Sequence, residues 1–378
     1  MELFIQKKFA THKRYSGEGS ESLIVALNAL LSEASKPDAS LQDKGIDSAV
    51  LGMPHRGRLA TLVVVNDYPV RNLLYKVAGN NDIPEEITHG VDDIPTHIAV
   101  SNTKKFSTST GSAKSEHKRV TLSMVHNPSH LESQNAISMG KARAKINDTE
   151  EKDTRSTLNI QAHGDAAFSG QGAAYESLTL CNLPKFSIGG SIHIITNNQV
   201  GFTTQQPDGR SFKHSSDVVK SFGIPVIRIN ASDAATTTET ILRICKFAIK
   251  YWKTYKKDIL IDMIGYRKHG HNEVDEPSFT QPHMYQKIRS LPASLPSQYG
   301  QELKGQGLVS DDDIAKVKAE VQAHFESEYQ KSLNFKPKLQ DTTSSKYKGS
   351  RAFTHKWEGM TFSQLGLESD VATGVDLN

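Results

Sequence analysis

Six short apolar runs with helical patterns between them constrain this chain more than any other feature. They occupy residues 48–53 (SAVLGM), 119–125 (RVTLSMV), 157–162 (TLNIQA), 191–196 (SIHIIT), 224–229 (IPVIRI) and 258–266 (DILIDMIGY). Each is rich in β-branched or aliphatic residues and is bounded by Gly, Pro, Asn or Asp, which marks a buried strand. The clearest helical pattern lies over 232–255. Ser232 and Asp233 can cap it, and Ile241, Ile244, Cys245, Ala248, Ile249 and Trp252 fall on one face. Helices are also expected over 19–31, 131–144 and 173–181. Strands that alternate with helices imply parallel βαβ units. The expected fold class is therefore α/β, a mostly parallel sheet with helices on both faces.

The segment 103–118 (TKKFSTSTGSAKSEHK) is rich in Ser, Thr and Lys and is expected to be a surface loop. Residues 336–356 are similar in kind. Between these two, 310–330 opens with a Ser/Asp cap and an acidic first turn, so it is expected to be a surface helix. The last residues, WEGMTFSQLGLESDVATGVDLN, carry no pattern of a closing element and look cut off.

Composition excludes several partner classes. A formal net charge of +3 over 378 residues gives no footprint for nucleic acid. No apolar run has the length of a membrane span. The N-terminus has no continuous apolar core of the secretory kind. Two cysteines, Cys181 and Cys245, stand in no metal-like spacing and fit a reducing compartment.

The run IHIITNN stops on two asparagines. In an open parallel sheet, ligands sit beyond the carboxyl ends of the strands, and Asn197 and Asn198 are at such an end. The preceding strand runs into HGDAAFSGQG, which puts Asp165 at its own carboxyl end. Small residues there let a ligand approach the backbone. One carboxylate and one amide oxygen from neighbouring strand ends form a hard oxygen site of the kind Mg²⁺ takes, with water and phosphate filling the other positions. An Asn pair alone is more often a capped turn; Asp165, one crossover away, tips the reading to a metal-bridged diphosphate.

GDA followed by NN resembles the thiamine diphosphate signature, with Ala166 where many members carry Gly. The blocks KRYSGEGSES (from Lys13), GMPHRGRL (from Gly52), NPSHLE (from Asn127), HGDAAFSGQG, NNQVGFTT and YRKHGHNEVDEPSFTQPHMY (from Tyr266) resemble the decarboxylating component of 2-oxoglutarate dehydrogenase and its sister, 2-oxoadipate dehydrogenase. The resemblance implies a transketolase-like, thiamine diphosphate-binding fold. It implies Asp165, Asn198 and the carbonyl of Val200 as Mg²⁺ ligands, with Arg56 and Ala166 beside the cofactor. It implies His55, His97 and His271 as catalytic histidines, and Tyr15 and Ser101 as lining the pocket of a 2-oxo acid. The implied reaction decarboxylates that acid and passes the acyl group to a lipoyl-bearing acyltransferase, with dihydrolipoamide dehydrogenase as the third component. A homodimer in the mitochondrial matrix is implied as well.

Some positions depart from the family. DDIPTH stands where GDV-x-x-H is usual, HRGRLA replaces HRGRLN, and ESQNAI replaces a more proline-like EAVNPV. Small Thr96, the run 185–190 and Tyr15 resemble the oxoadipate branch, while Phe202 resembles the oxoglutarate branch; the balance favours 2-oxoadipate. Residues 1–295 are expected to be the diphosphate-binding domain, and 296–378 a helical and irregular linker towards a pyrimidine-binding domain. Without that domain the 378-residue chain is expected to be inactive alone. Other readings stay open. The chain could be a non-catalytic binding module that keeps the fold. Asp165 could serve a Mg²⁺-dependent phosphohydrolase, although no further carboxylates gather near it in the sequence. His269-Gly270-His271 has a zinc-like spacing without a third ligand nearby. In NPSHLE, Ser129 and Glu132 read as a capping box with no chemistry.

Overall fold

The computed structural model describes residues 1–84, 92–108, 117–291 and 294–338. Its strands, in chain order, are β1 (Ser48–Gly52), β2 (Val100–Ser107), β3 (His117–Met124), β4 (Thr157–Gly164), β5 (Ser191–Asn197), β6 (Val200–Gly201), β7 (Thr204–Gln205), β8 (Val226–Asn230) and β9 (Ile259–Ile264). Seven of them build one sheet in the order β2-β3-β1-β4-β5-β9-β8; β6 and β7 form a separate two-stranded ribbon. Only the edge strand β2 is antiparallel to its neighbour.

The strands are apolar on both faces because both faces are covered. On β1, Ala49 and Leu51 join one core cluster, while Val50 between them joins another. The first face packs under Ser22–Ser35 and Ala234–Tyr255, with Leu27, Leu30, Ile249 and Trp252 fully buried. The predicted apolar face of the long helix is the one that is buried. The second face packs under Gln134–Asp148 through Met139, Ala142 and Ile146. Gly172–Thr179 covers the same side through Ala174 and Leu178.

Three expectations need correction. The surface loop expected over 103–118 is sheet at both of its ends: β2 and β3 pair from Val100↔Met124 to Ser107↔His117, which takes in 103–107 and 117–118, while 109–116 lie outside the described residues. The helix expected from 131 begins at Gln134. Glu132 is fully buried and bonded to side chains of β4 and its own helix, so it completes no capping box with Ser129. The helix expected over 19–31 is shifted to Ser22–Ser35, and Gly19, at φ 93°, stays outside it. The compact body runs from Met1 to Pro337.

The last helix of that body is held by packing against the first. Asp311–Leu333, capped by Ser310 and Asp313 as expected, lays Phe325 and Tyr329 against Phe4, with ring centroids 5.6 and 6.2 Å apart. The irregular segment expected over 336–356 and the unstructured end lie almost wholly outside the described residues. Among the described residues, no helix is long and apolar enough to cross a membrane.

Candidate active site

The chain leaves β1 towards β3 on one side of the sheet, then returns to β4 and continues to β5 on the other. The switch of direction falls between β1 and β4. A parallel sheet opens a crevice outside the carboxyl ends of its strands at such a point. A cleft opens here, lined among others by Pro54, His55 and Arg56 after β1, Gly164 and Asp165 at the end of β4, Asn198 after β5 and Arg267 after β9.

An N-terminal strap crosses the mouth. Gly57 N–H donates to Tyr15 O at 3.0 Å, Tyr266 N–H to Gly19 O at 3.2 Å and Lys268 N–H to Glu18 O at 3.2 Å. Gly17 touches Gly57 so closely that a Cβ on it would sit 2.9 Å from the Gly57 Cα. The Glu273 carboxylate accepts the backbone N–H groups of Arg14, Tyr15 and Ser16 at 2.8, 3.3 and 3.1 Å. Tyr15 is thereby held in the left-handed region at φ 49°. Its ring lies on His55, centroids 4.0 Å apart, and meets His271 at 5.5 Å. Phe202, another left-handed residue at φ 53°, meets His271 from the other side at 4.7 Å.

Burial holds both imidazoles neutral. His55 is pushed down to about 3 by burial, with the charges of Arg56, His271 and His97 adding to it. His271 is pushed down to about 4 by burial and by Arg56 and Arg267. Arg56 spans the mouth, donating from Nη1 to Ser16 O at 2.9 Å and from Nη2 to His271 O at 2.8 Å. Arg58 two residues on is structural: it is fully buried and donates to the carbonyls of Met53, Ile98 and Val125.

Asp165 lies deeper, 2% exposed. Burial raises its carboxyl to about 6, against the Arg210 guanidinium and the backbone N–H groups of Asp165 and Asn198, which pull it down. β4 and β5 pair as far as Gly164↔Thr196; Asp165 directly follows the one strand, Asn198 stands just past the end of the other, and the Asn198 backbone N–H lies against the Asp165 carboxylate. Asn198 Oδ1 accepts Val200 N–H at 3.3 Å and keeps a second lone pair. The two asparagines divide their work. Asn197 turns away from the cleft, donating to Asp262 Oδ1 at 3.1 Å and accepting from Gln199 and Gln206. Asp262, the nearest other carboxylate, is fully buried and held by Asn197, Ser216 and Arg228.

A carboxylate, an amide oxygen and a backbone carbonyl are three hard oxygens at one floor, and they fit an Mg²⁺ with a diphosphate. The floor is also shaped for close approach: a Cβ on Gly201 would stand 2.5 Å from the Ala166 Cβ.

Of the sequence-derived site residues, His55, Arg56, Asp165, Ala166, Asn198, Val200 and His271 line this cleft. Tyr15 reaches it through the rings of His55 and His271. His97 and Ser101 do not line it. His97 is bonded through Nδ1 to the Asp93 carboxylate at 2.9 Å, and Ser101 Oγ pairs with Ser123 Oγ at 3.0 Å on the sheet edge. His269 and His271 diverge: His269 Nε2 meets Glu18 at 2.9 Å, away from the His271 ring cluster. Among the described residues, no three of His, Cys, Asp and Glu are arranged to hold a metal ion.

Sequence reasoning missed two arginines, Arg267 and Arg210. It also missed a buried chain from Glu132 to His163 (2.7 Å), His193 (3.1 Å) and Asp258 (3.2 Å), running through β4 and β5 beneath the cleft. Alternation of polar with apolar residues in NIQAH and SIHI was its only trace.

Comparison with known proteins adds a second line. The model of a family described as dehydrogenase E1 component matches residues 38–340. The chain is 41% identical over 348 residues to a probable 2-oxoadipate dehydrogenase complex component E1 homolog of Dictyostelium discoideum, covering 92% of this chain and 36% of that protein. It is 35% identical over 373 residues to the mitochondrial 2-oxoglutarate dehydrogenase of the same organism, covering 99% of this chain and 34% of that one. It is 36% identical over 359 residues to a 2-oxoglutarate dehydrogenase E1 component of Brucella ovis, covering 93% and 34%. The chain thus spans about a third of the length of the curated relatives it matches.

Proposed function

Because the chain belongs to the dehydrogenase E1 component family, we propose that its cleft is the diphosphate-binding half of a thiamine diphosphate site for oxidative decarboxylation of a 2-oxo acid. The observation that carries the reading is that Asp165 and Asn198, each just past the end of one of two adjacent parallel strands, line the same switch-point cleft in contact with each other. Burial of this carboxylate outweighs its 3.6 Å ion pair with Arg210 and the two backbone N–H groups that face it, and a divalent cation would compensate it.

Asp165, Asn198 and the Val200 carbonyl would hold Mg²⁺, and Arg56 would face the anion at the rim. When bound, the cofactor supplies an electron sink for the decarboxylation. The protein's own contribution is positioning and proton handling. Tyr15 and Phe202 fix the His271 ring from two sides, and Tyr15 stacks on His55. Both imidazoles are neutral near pH 7, so each can give one N–H and accept one proton beside the reacting ketone. His97 and Ser101 would act from outside the cleft, on the far end of the 2-oxo acid. The substrate we favour is 2-oxoadipate, with 2-oxoglutarate next; both branches appear among the relatives. A lipoyl-bearing acyltransferase and dihydrolipoamide dehydrogenase are the proposed partners, a homodimer the proposed assembly and the mitochondrial matrix the proposed location.

Calorimetry on the 378-residue chain tests this. Thiamine diphosphate is expected to bind only with Mg²⁺, and Asp165→Ala is expected to abolish that binding. Equal affinity in the variant would remove Asp165 from the site.

A further inference from the structure

Arg210 stands at the bottom of the cleft without a use in the account above. Its side chain is 6% exposed. Nε and Nη2 are buried and have no hydrogen-bond partner among the described residues. Nη1 stands 3.6 Å from Asp165 Oδ2, beyond hydrogen-bonding distance. Buried donors are nearly always paired, and a buried guanidinium with idle N–H groups is costly unless something else receives them. Arg58 and Arg267 show the usual solution: Arg58 gives N–H groups to three backbone carbonyls, and Arg267 to two carbonyls and the Tyr285 hydroxyl. Arg14, whose Nη1 and Nη2 also lack partners, differs from Arg210 in that its Nε is bonded to the Glu2 carboxylate at 3.1 Å.

The surroundings say what the missing partner is. Arg210 shares a second lobe of the cleft with Asp165, Ala166, Gln171, Gly201 and Gln206. The carboxylates nearest to it are used. Asp208 binds Gln205 Nε2 at 2.9 Å, and Asp262 is saturated as described. Asp165 is the proposed cation ligand. A guanidinium fork facing a metal site is matched by an anion that bridges the metal and the fork, and two parallel N–H groups suit the oxygens of one phosphoryl group.

We propose that Arg210 is a diphosphate-binding residue that couples anion binding to cation binding at Asp165. The proposal rests on the cofactor reading above and deepens it. With no anion present, the positive charge of Arg210 partly neutralises Asp165 and repels a divalent cation. Once a diphosphate accepts the Nε and Nη2 hydrogens, that charge is spent on the anion and the cation binds beside it. The site thus favours the metal–diphosphate pair over the metal alone.

The test titrates Mn²⁺, read by its electron spin resonance, into the full 378-residue chain at pH 8, alone and with inorganic pyrophosphate. Wild-type protein is expected to bind Mn²⁺ more tightly with pyrophosphate by on the order of tenfold or more, the effect of charge-assisted hydrogen bonds. Orthophosphate is expected to give little of this. Arg210→Gln is expected to bind Mn²⁺ alone as well as or better than wild type and to lose the pyrophosphate effect. Arg210→Lys keeps the charge without the fork and is expected to keep only part of the effect, which also tests the idea should the glutamine variant not fold.

Several outcomes would overturn the proposal. One is an unchanged pyrophosphate effect in both variants. Another is an equal weakening of Mn²⁺ binding with and without pyrophosphate, the mark of a structural arginine. Orthophosphate acting as strongly as pyrophosphate would overturn the diphosphate assignment. Should wild type bind Mn²⁺ in a manner that Asp165→Asn abolishes while the Arg210 variants behave like wild type, only this proposal falls. Should wild type bind neither Mn²⁺ nor pyrophosphate, the cofactor reading falls with it.

Discussion

The floor of the cleft is a contact between two small residues. Ala166 carries a methyl, and Gly201 across from it has no room for one, since an added Cβ would sit 2.5 Å from the Ala166 Cβ. Neither atom can swing aside, because a Cβ moves only with its backbone. Gly201→Ala is therefore expected to push the 198–202 turn outward, carrying the Val200 carbonyl and Asn198 with it. Mg²⁺-dependent binding of thiamine diphosphate should weaken by about tenfold, a displacement of order 1 Å being enough for that. Ala166→Gly in the same chain should restore most of it. Calorimetry on the two single variants and the double variant decides the matter, and equal losses in Gly201→Ala and the double variant would break the argument. Ala166 and Asn198 could be found in the sequence because each closely follows an unmistakable strand. Arg210 could not: it lies in QQPDGRSFK, which has no period and no motif, and its role depends on folding back towards Asp165.

At the scale of elements, the central parallel strands were legible because both of their faces are buried, so aliphatic and β-branched residues dominate them even where Asn159, Gln161, His163 and His193 interrupt the run. The β2–β3 hairpin was hidden for the converse reason. β2 is an edge strand whose residues are mostly half-buried or exposed, and Lys104 and Lys105 in its middle read as loop while they protect the edge. The start of the helix Gln134–Asp148 was misread because Glu132 resembles a cap residue. Its carboxylate instead takes Asn135 Nδ2 at 2.8 Å and His163 Nδ1 at 2.7 Å, and its N–H donates to Gln171 at 3.2 Å. One acidic residue thus ties the helix to β4 and to the turn after Asp165. Glu132→Ala would strand the His163 and Asn135 donors in a dry interior. It is expected to cost roughly 3 kcal/mol of stability. Glu132→Gln, which keeps the shape and an acceptor oxygen, should cost clearly less. Urea midpoints measure both, and an alanine variant within about 0.5 kcal/mol of wild type, the range of neutral surface changes, would show that the chain of buried bonds carries no stability.

At the scale of the whole molecule, the mouth of the cleft joins segments far apart in sequence: the strap around Tyr15, the turn of His55 and the loop of His271. The fold keeps the two imidazoles there neutral, His55 down to about 3 and His271 down to about 4. In the unfolded chain a histidine titrates near 6.5. Between that value and the depressed folded ones, the unfolded state binds more protons than the folded state, so stability is present above pH 6.5 and falls as the pH drops towards 4. Other groups work in the opposite direction. Glu2, Glu21 and Asp165 are raised by burial, so protonation in acid relieves them and stabilises the folded state. The bare acid profile of the protein mixes the two, and only a difference isolates the histidines. His55→Gln/His271→Gln is therefore expected to lose less melting temperature than wild type between pH 6.5 and 5, by on the order of several degrees, whatever its stability at pH 7.5. Parallel melting profiles for the two proteins across that window would mean that the imidazoles are as free to take a proton in the folded cleft as in water. A solvated mouth of that kind would be a poor place to hold a ketone and a cofactor away from bulk water.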